Sequence, residues 1–182
     1  PSRMMARDKT GDEGCVQCHG DIGADVQAHT HHPADSEGSR CYNCHMPYTS
    51  YGLLGATRSH RIDSPTATGV GTRSRPNACN LCHLDQTVAW TAGHLKTWYG
   101  QKPPTVDDGY DEVAAGVIWT LRGDAAQRAI AGWSMGWAPA REASGADWHV
   151  PVLASLLEDD YAAIRFIAGQ ALTTLPGYES FA

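Results

Sequence analysis

Six cysteines divide into three pairs of identical C-x-x-C spacing, Cys15/Cys18, Cys41/Cys44 and Cys79/Cys82, and a histidine follows each pair directly: His19, His45 and His83. With nine histidines in 182 residues, three such coincidences would arise by chance on the order of once in ten thousand trials. The spacing is that of c-type haem attachment. Two thioether bonds pin a porphyrin to one short turn, and the next imidazole lies under the iron as the proximal ligand. Structural zinc also uses C-x-x-C, but its four ligands would have to converge from two knuckles, with no reason for a histidine after every second cysteine. A disulfide inside C-x-x-C closes a tiny loop and does little for stability. Three covalently attached haem c groups are therefore expected.

That expectation sets the fold. Residues 20–80 are rich in Gly, Ser, Thr, Pro and His with little apolar periodicity, so ordinary packing cannot organise them, and the haems must supply the core. Helix is predicted from Thr87 to Tyr99, where Val88, Ala92, Leu95 and Trp98/Tyr99 form one stripe and Gly100 can stop it.

Each iron needs a sixth ligand or deliberately lacks one. Six histidines remain for three distal positions, ranked His60, His32, His31, His29, His94 and His149. His60 leads because it lies in a loop between two haem motifs with no packing pattern to explain it. At least one of His29, His31 and His32 is expected to ligate. His94 shares a helical face with Trp90 and Trp98, suited to lying on a porphyrin or simply to packing. Met46 follows its own proximal His45 too closely to reach across that haem, and Met4, Met5 and Met135 have only their sulfur to recommend them. Bis-histidine, low-spin haems are the expectation. Arg58, Arg61, Arg73 and Arg75 surround the second half of this region, and their guanidinium forks suit haem propionates.

The rest of the chain has no cysteine and repeats itself. "AAQRAIAG" at 125–132 and "AAIRFIAG" at 162–169 agree at six of eight positions with a period of 37 residues. Helices are predicted over 111–122, 124–136, 150–158 and 160–175, with Asp124 and Asp160 as N-caps and Pro176-Gly177 as the final stop. Their apolar stripes are Val113/Val117/Leu121, Ile130/Trp133/Trp137 and Ile164/Ala168/Leu172/Leu175. Helix pairs near forty residues carrying an arginine in the second helix look like HEAT repeats. The predicted fold class is mainly α with extensive coil: a triheme module over residues 1–100, then a short HEAT-like helical module over 107–182, with repeats at about 107–143 and 144–180. Two repeats rarely stand alone, so they are expected to stack on the 87–99 helix and cap the haem cluster.

Charge follows the same division. Residues 1–99 hold nine Lys/Arg and nine Asp/Glu, whereas residues 100–182 hold five and eleven. A net charge of -6 makes nucleic acid an unsuitable partner, and no run of eighteen apolar residues spans a membrane. Haem c is attached outside the cytoplasm, so the protein is expected to be exported, to the periplasm or beyond the cell. A signal peptide, absent before Pro1, is expected to have been removed.

"CYNCHMPYTSYGLLGATRSHRIDSP" followed by "PNACNLCHLDQTVAWTAGHLKTWYG" resembles multihaem cytochromes c of the cytochrome c554 and pentahaem nitrite-reductase type, particularly those with C-terminal HEAT-like repeats. The resemblance covers residues 15–100. It implies distal ligands just upstream of the C-x-x-C-H-M-P motif, matching His31 or His32, and about fifteen residues after it, matching His60. It also implies ligands crossed between haems: His60 to the Cys15/Cys18 haem and His32 to the Cys79/Cys82 haem, leaving His94, His29 or a residue of another chain for the Cys41/Cys44 haem. The nitrite reductases use a C-x-x-C-K haem with an open position. This sequence has no C-x-x-C-K, so that activity does not carry over.

The leading functional expectation is electron transfer between redox partner proteins through three closely spaced haems, the protein supplying position and ligation. A second reading is a homo-oligomeric, extracellular cytochrome filament whose subunits share ligation. A third is a haem-based oxidoreductase of small nitrogen or sulfur compounds, which would need an open iron position that the histidine surplus argues against.

Overall fold

The computed structural model describes residues 9–52, 55–67, 75–104 and 109–181; Met4, Met5 and Arg73 lie outside the described residues. Short turns of helix carry the first half. Helix α1 (Glu13–Val16) bears Cys15, α2 (Gly20–Ala24) starts directly after His19, and α3 (Val26–Thr30) follows. The Asp25 carboxylate caps α3, accepting from the Ala28 N–H at 3.0 Å. A 3₁₀ turn at Glu37–Ser39 leads into α4 (Cys41–His45), the second C-x-x-C-H motif itself. Strands β1 (Tyr48–Gly52) and β2 (Gly55–Arg58) then pair antiparallel, with Tyr48 opposite Arg58 and an irregular register between Tyr48 and Ser50. Another 3₁₀ turn, Cys79–Leu81, opens the third motif.

Helix α5 (Val88–Tyr99) takes the predicted place. The Thr87 hydroxyl caps it, accepting from the Trp90 N–H at 3.0 Å, and Gly100 at φ 66° ends it by donating to the carbonyls of Leu95 and Lys96. Five helices follow among the described residues: α6 (Ala115–Leu121), α7 (Ala125–Gly136), α8 (Ala138–Ser144), α9 (His149–Leu156) and α10 (Ala162–Leu172). The repeated octapeptides open α7 and α10, which pack on each other. Asp124 caps α7 as predicted, in a reciprocal capping box with Gln127.

Three helix-level expectations are corrected. Tyr161, not Asp160, occupies the N-cap position of α10; the neighbouring Asp159 carboxylate accepts from the Tyr161 N–H at 2.9 Å. Val113 and Leu121 are exposed, and α6 buries Ala115, Ile118 and Trp119 instead. The cause is docking: Ala115 N–H and Gly116 N–H donate to the carbonyls of Gln86 and Leu84, each at 2.9 Å, which fixes the rotation of the helix against the third haem motif. Helix α8, unpredicted, stands between the two expected pairs.

The two halves are packed together. Leu84 sits in the same core as Leu153, Ile164 and Ala168, while Val88, Ala92 and Leu95 of α5 share a second core with Ile118, Trp119 and Ala131. The hairpin adds a third contact, Tyr48 lying 4.4 Å from Trp133 and 5.5 Å from Trp137 between ring centres.

Candidate functional site

The three C-x-x-C-H motifs come together in chain order. The Cys41 thiol meets the Cys15 thiol, and Cys44 lies beside Cys79 and Cys82. Asp12 ties the first junction: its carboxylate accepts from the Cys41 N–H at 2.9 Å and pairs with Arg40 at 3.4 Å. In the unattached chain, burial above all pushes the Cys41, Cys79 and Cys82 thiols up to about 12.

The first motif differs from the enclosed site that three haems serving as a core would suggest. Cys18 is exposed, whereas Cys15 and the four cysteines of the other motifs are half-buried. The reason is local. Cys18 lies just past the end of α1, its N–H donating back to the Cys15 carbonyl at 3.1 Å. Cys15 is the residue turned to the junction with Cys41, and Cys18 is left facing solvent, its thiol accessible for attachment. His19 and His60 are exposed as well, and no ring contact joins them among the described residues. The structure therefore does not bring the first-ranked distal candidate, His60, onto the first motif.

Two histidines of the 29–32 cluster lie beside the histidines of two C-x-x-C-H motifs. His29 and His45 have ring centres 6.3 Å apart with planes 11° from parallel. His32 and His83 have centres 6.0 Å apart, tilted by 31°. An iron between two imidazoles, with metal–nitrogen bonds of about 2 Å, holds their ring centres about 6 Å apart. The donor sets and the spacing therefore fit a haem iron at each pair.

Hydrogen bonds leave the required nitrogen free. His45 Nδ1 lies 3.0 Å from the Asp63 carbonyl and His32 Nδ1 lies 2.6 Å from the Thr30 carbonyl. A carbonyl can only accept, so each Nδ1 carries a proton and Nε2 is the ring nitrogen left to meet a metal. Burial, followed by the neighbouring histidines, lowers the pKa of both His29 and His83, which favours their neutral form.

What separates His29 from His32 is His31, in the left-handed conformation at φ 59°. Around that turn His29 lies beside the second motif and His32 beside the third, while the His31 ring stacks on Trp98 at 4.3 Å. The His32 ring presses on Gly38, where a Cβ would come within 2.4 Å of its Cδ2; only glycine leaves that ring its place.

A cleft beside the third motif is lined by Cys44, Cys79, Cys82, His32, His83 and the α5 residues Trp90, His94, Leu95 and Trp98. His94 is flanked by Trp90 and Trp98, both at 4.4 Å. His149 is buried in the helical half, Nδ1 3.1 Å from the Met135 carbonyl and Nε2 3.2 Å from Ser144 Oγ, so both ring nitrogens are occupied.

The arginines divide. Arg58 donates to the carbonyls of Tyr42 and Met46 and to Asn43 Oδ1, and lies over the Tyr42 and Tyr48 rings at 4.6 and 4.1 Å; it pins α4 to the hairpin. Arg61 and Arg75 line a cavity of about 260 Å³ together with His45 and Asp63.

Sequence reasoning missed two buried asparagines inside the motifs. Asn43 donates to the Glu37 carbonyl at 2.8 Å. Asn80, fully buried, donates to the carbonyls of His83 and Gln86 and accepts from Thr91 Oγ1 at 2.7 Å. A polar residue between the two cysteines was the available signal. The first motif has Val16-Gln17 there, with Gln17 exposed like its neighbour Cys18.

Residues 4–84 match the family model described as cytochrome c7 and related cytochrome c, so the matched segment ends one residue past His83. That match supports a multihaem cytochrome c over this segment, a family whose haem c is covalently bound. No curated protein and no solved structure matches the chain. Among the described residues no helix is long and apolar enough to cross a membrane.

Proposed function

We propose that the protein carries electrons between redox partners through three bis-histidine haem c groups, as an exported cytochrome of the periplasm. The observation that carries this reading is the pair of facing imidazoles, His29 with His45 and His32 with His83, at 6.3 and 6.0 Å. Bound haem supplies one-electron iron chemistry. The chain's own residues hold it: Cys15/Cys18, Cys41/Cys44 and Cys79/Cys82 attach it, His19, His45 and His83 are proximal, and His29 and His32 are distal at the second and third motifs. His60 is assigned to the first motif by the cytochrome c554-type resemblance. Arg61 and Arg75 fit propionates beside His45.

Supplying both axial positions from the protein suits electron transfer rather than bond making, since no small molecule then reaches the iron. The helical half is read as two HEAT-like repeats: Arg128 and Arg165 occupy the same repeat position and both bond to the loop before α10, through the Asp159 carboxylate and carbonyl respectively. Its work is to hold the third motif and α5.

Intact mass and the visible and EPR spectra of the purified protein test this together. Three haems added to the polypeptide with low-spin signals only are expected. Fewer haems, or a high-spin haem binding cyanide or nitrite, would overturn the bis-histidine carrier reading.

A further inference from the structure

Helix α5 ends where the second haem site begins. Tyr99 is its last residue, and the Tyr99 hydroxyl donates to the His29 carbonyl at 2.5 Å, across seventy residues of sequence. The Tyr99 ring lies 6.0 Å from the His29 ring and 5.9 Å from the His31 ring, while the adjacent Trp98 stacks on His31. Two residues on, Gln101 Nε2 donates to the Pro65 carbonyl at 2.8 Å. Pro65 closes the same loop whose Asp63 carbonyl accepts from His45 Nδ1.

Resting on the assignment of His29 and His45 to one iron, we propose that the C-terminal end of α5 is a clamp on the second haem site, Tyr99 positioning the distal imidazole and Gln101 the proximal one. Gly100, in the left-handed conformation between them, ends the helix, with Tyr99 bonded to His29 and Gln101 to Pro65. The clamp is rigid because α5 is buried against the helical half through Val88, Ala92 and Leu95. Both residues lie beyond the segment matched by the cytochrome c7 model, so the clamp reaches the second site from outside that segment. Neither residue touches the iron; Tyr99 acts through the His29 backbone, and Gln101 through the loop whose Asp63 carbonyl holds His45, as outer-shell groups do.

The experiment compares the holoprotein with Tyr99→Phe and Gln101→Leu by EPR and by spectroscopically monitored redox titration. Tyr99→Phe removes one hydroxyl from a half-exposed ring. Each variant is expected to shift one low-spin signal and one midpoint of the three, the same one in both, with the other two unchanged and the melting temperature kept. Loss of haem confined to Cys41/Cys44 on peptide mapping supports the clamp in the same way. Unchanged signals, a shift of all three haems, or haem loss spread over the motifs overturns it. His29→Ala separates the two levels. If it makes one haem high-spin while Tyr99→Phe changes nothing, the clamp fails and the ligand assignment stands; if His29→Ala leaves every haem low-spin, the assignment itself fails.

Discussion

Between Lys9 and Thr66 the described residues bury two side chains, Ser39 and Asn43, both polar; between Ala115 and Leu175 the chain buries Ile118, Trp119, Ile130, Met135, Leu153, Ile164 and more. One half has hydrogen bonds and covalent anchors but no apolar core of its own. The other has the ordinary core of packed amphipathic helices. The difference shows what a cofactor can replace. A stretch with almost nothing apolar to bury gains order only if something else supplies the apolar surface, as metals and disulfides do in small domains.

The largest expected effect breaks the comparison at that point. Replacing all six cysteines by alanine, so that no haem attaches, should abolish amide-exchange protection over residues 9–66 while leaving protection in α7, α9 and α10. Hydrogen exchange read by mass spectrometry checks this segment by segment. Protection surviving in the first half would mean that its polar contacts suffice without haem.

A smaller effect tests the helical half alone. Arg128 grips Asp159 with two guanidinium nitrogens, at 2.6 and 3.2 Å, and also donates to the Gly123 carbonyl at 2.8 Å. Arg128→Ala should cost about 2 kcal/mol, as expected for a charge-assisted hydrogen bond whose partner is left buried, with haem spectra unchanged. The Arg128 guanidinium, aided by the Tyr161 N–H, holds the Asp159 carboxyl below the ordinary carboxylate range. Its contribution is therefore complete above the unfolded value of about 4 and is lost as pH falls through the lower folded value. The gap between wild type and variant in denaturant unfolding should be wide at neutral pH and narrow in strong acid. A gap independent of pH would assign the loss to packing of the arginine stem.

Legibility in the sequence divides along the same line. The candidate haem anchors stand out in the sequence because thioether attachment demands contiguous residues, so Cys79, Cys82 and His83 announce themselves without any knowledge of the fold. How deeply each anchor sits could not be read: Cys18 has the same spacing as Cys44 and Cys82 yet faces solvent, because exposure depends on what packs over a motif and not on the motif. The stripe Ile164/Ala168/Leu172/Leu175 was plain, and all four residues are buried. Choosing among His29, His31 and His32 was beyond spacing. Which of these rings lies beside which motif depends on His31, a non-glycine residue at φ 59° whose ring stacks on Trp98. The hairpin at Tyr48–Arg58 was also hidden, since its strands are short, glycine-bounded and held by Trp133, Trp137 and Arg58 more than by their own alternation. Tyr161 takes the N-cap position expected of Asp160, behind an Asp159 that Arg128, thirty-one residues earlier, holds in place; helix-end rules see only local sequence.

The smallest effect asks whether the two halves are separate at all, and α5 is the place to ask it. This helix lines the cleft at Cys79 and Cys82 with Trp90 and Trp98, and its opposite face lies in the core with Ile118 and Trp119. The hydroxyl of its N-cap, Thr87, accepts the Trp90 N–H, its one hydrogen bond among the described residues. Thr87→Ala should therefore destabilise α5 by about 1 kcal/mol without altering any haem ligand. If α5 welds the halves into one cooperative unit, unfolding followed by the haem Soret band and by far-ultraviolet circular dichroism will shift together in the variant and coincide in both proteins. If the halves are independent, only one probe will move. Coincident transitions would mean that a chain half without an apolar core borrows the stability of its neighbour as well as that of its haems.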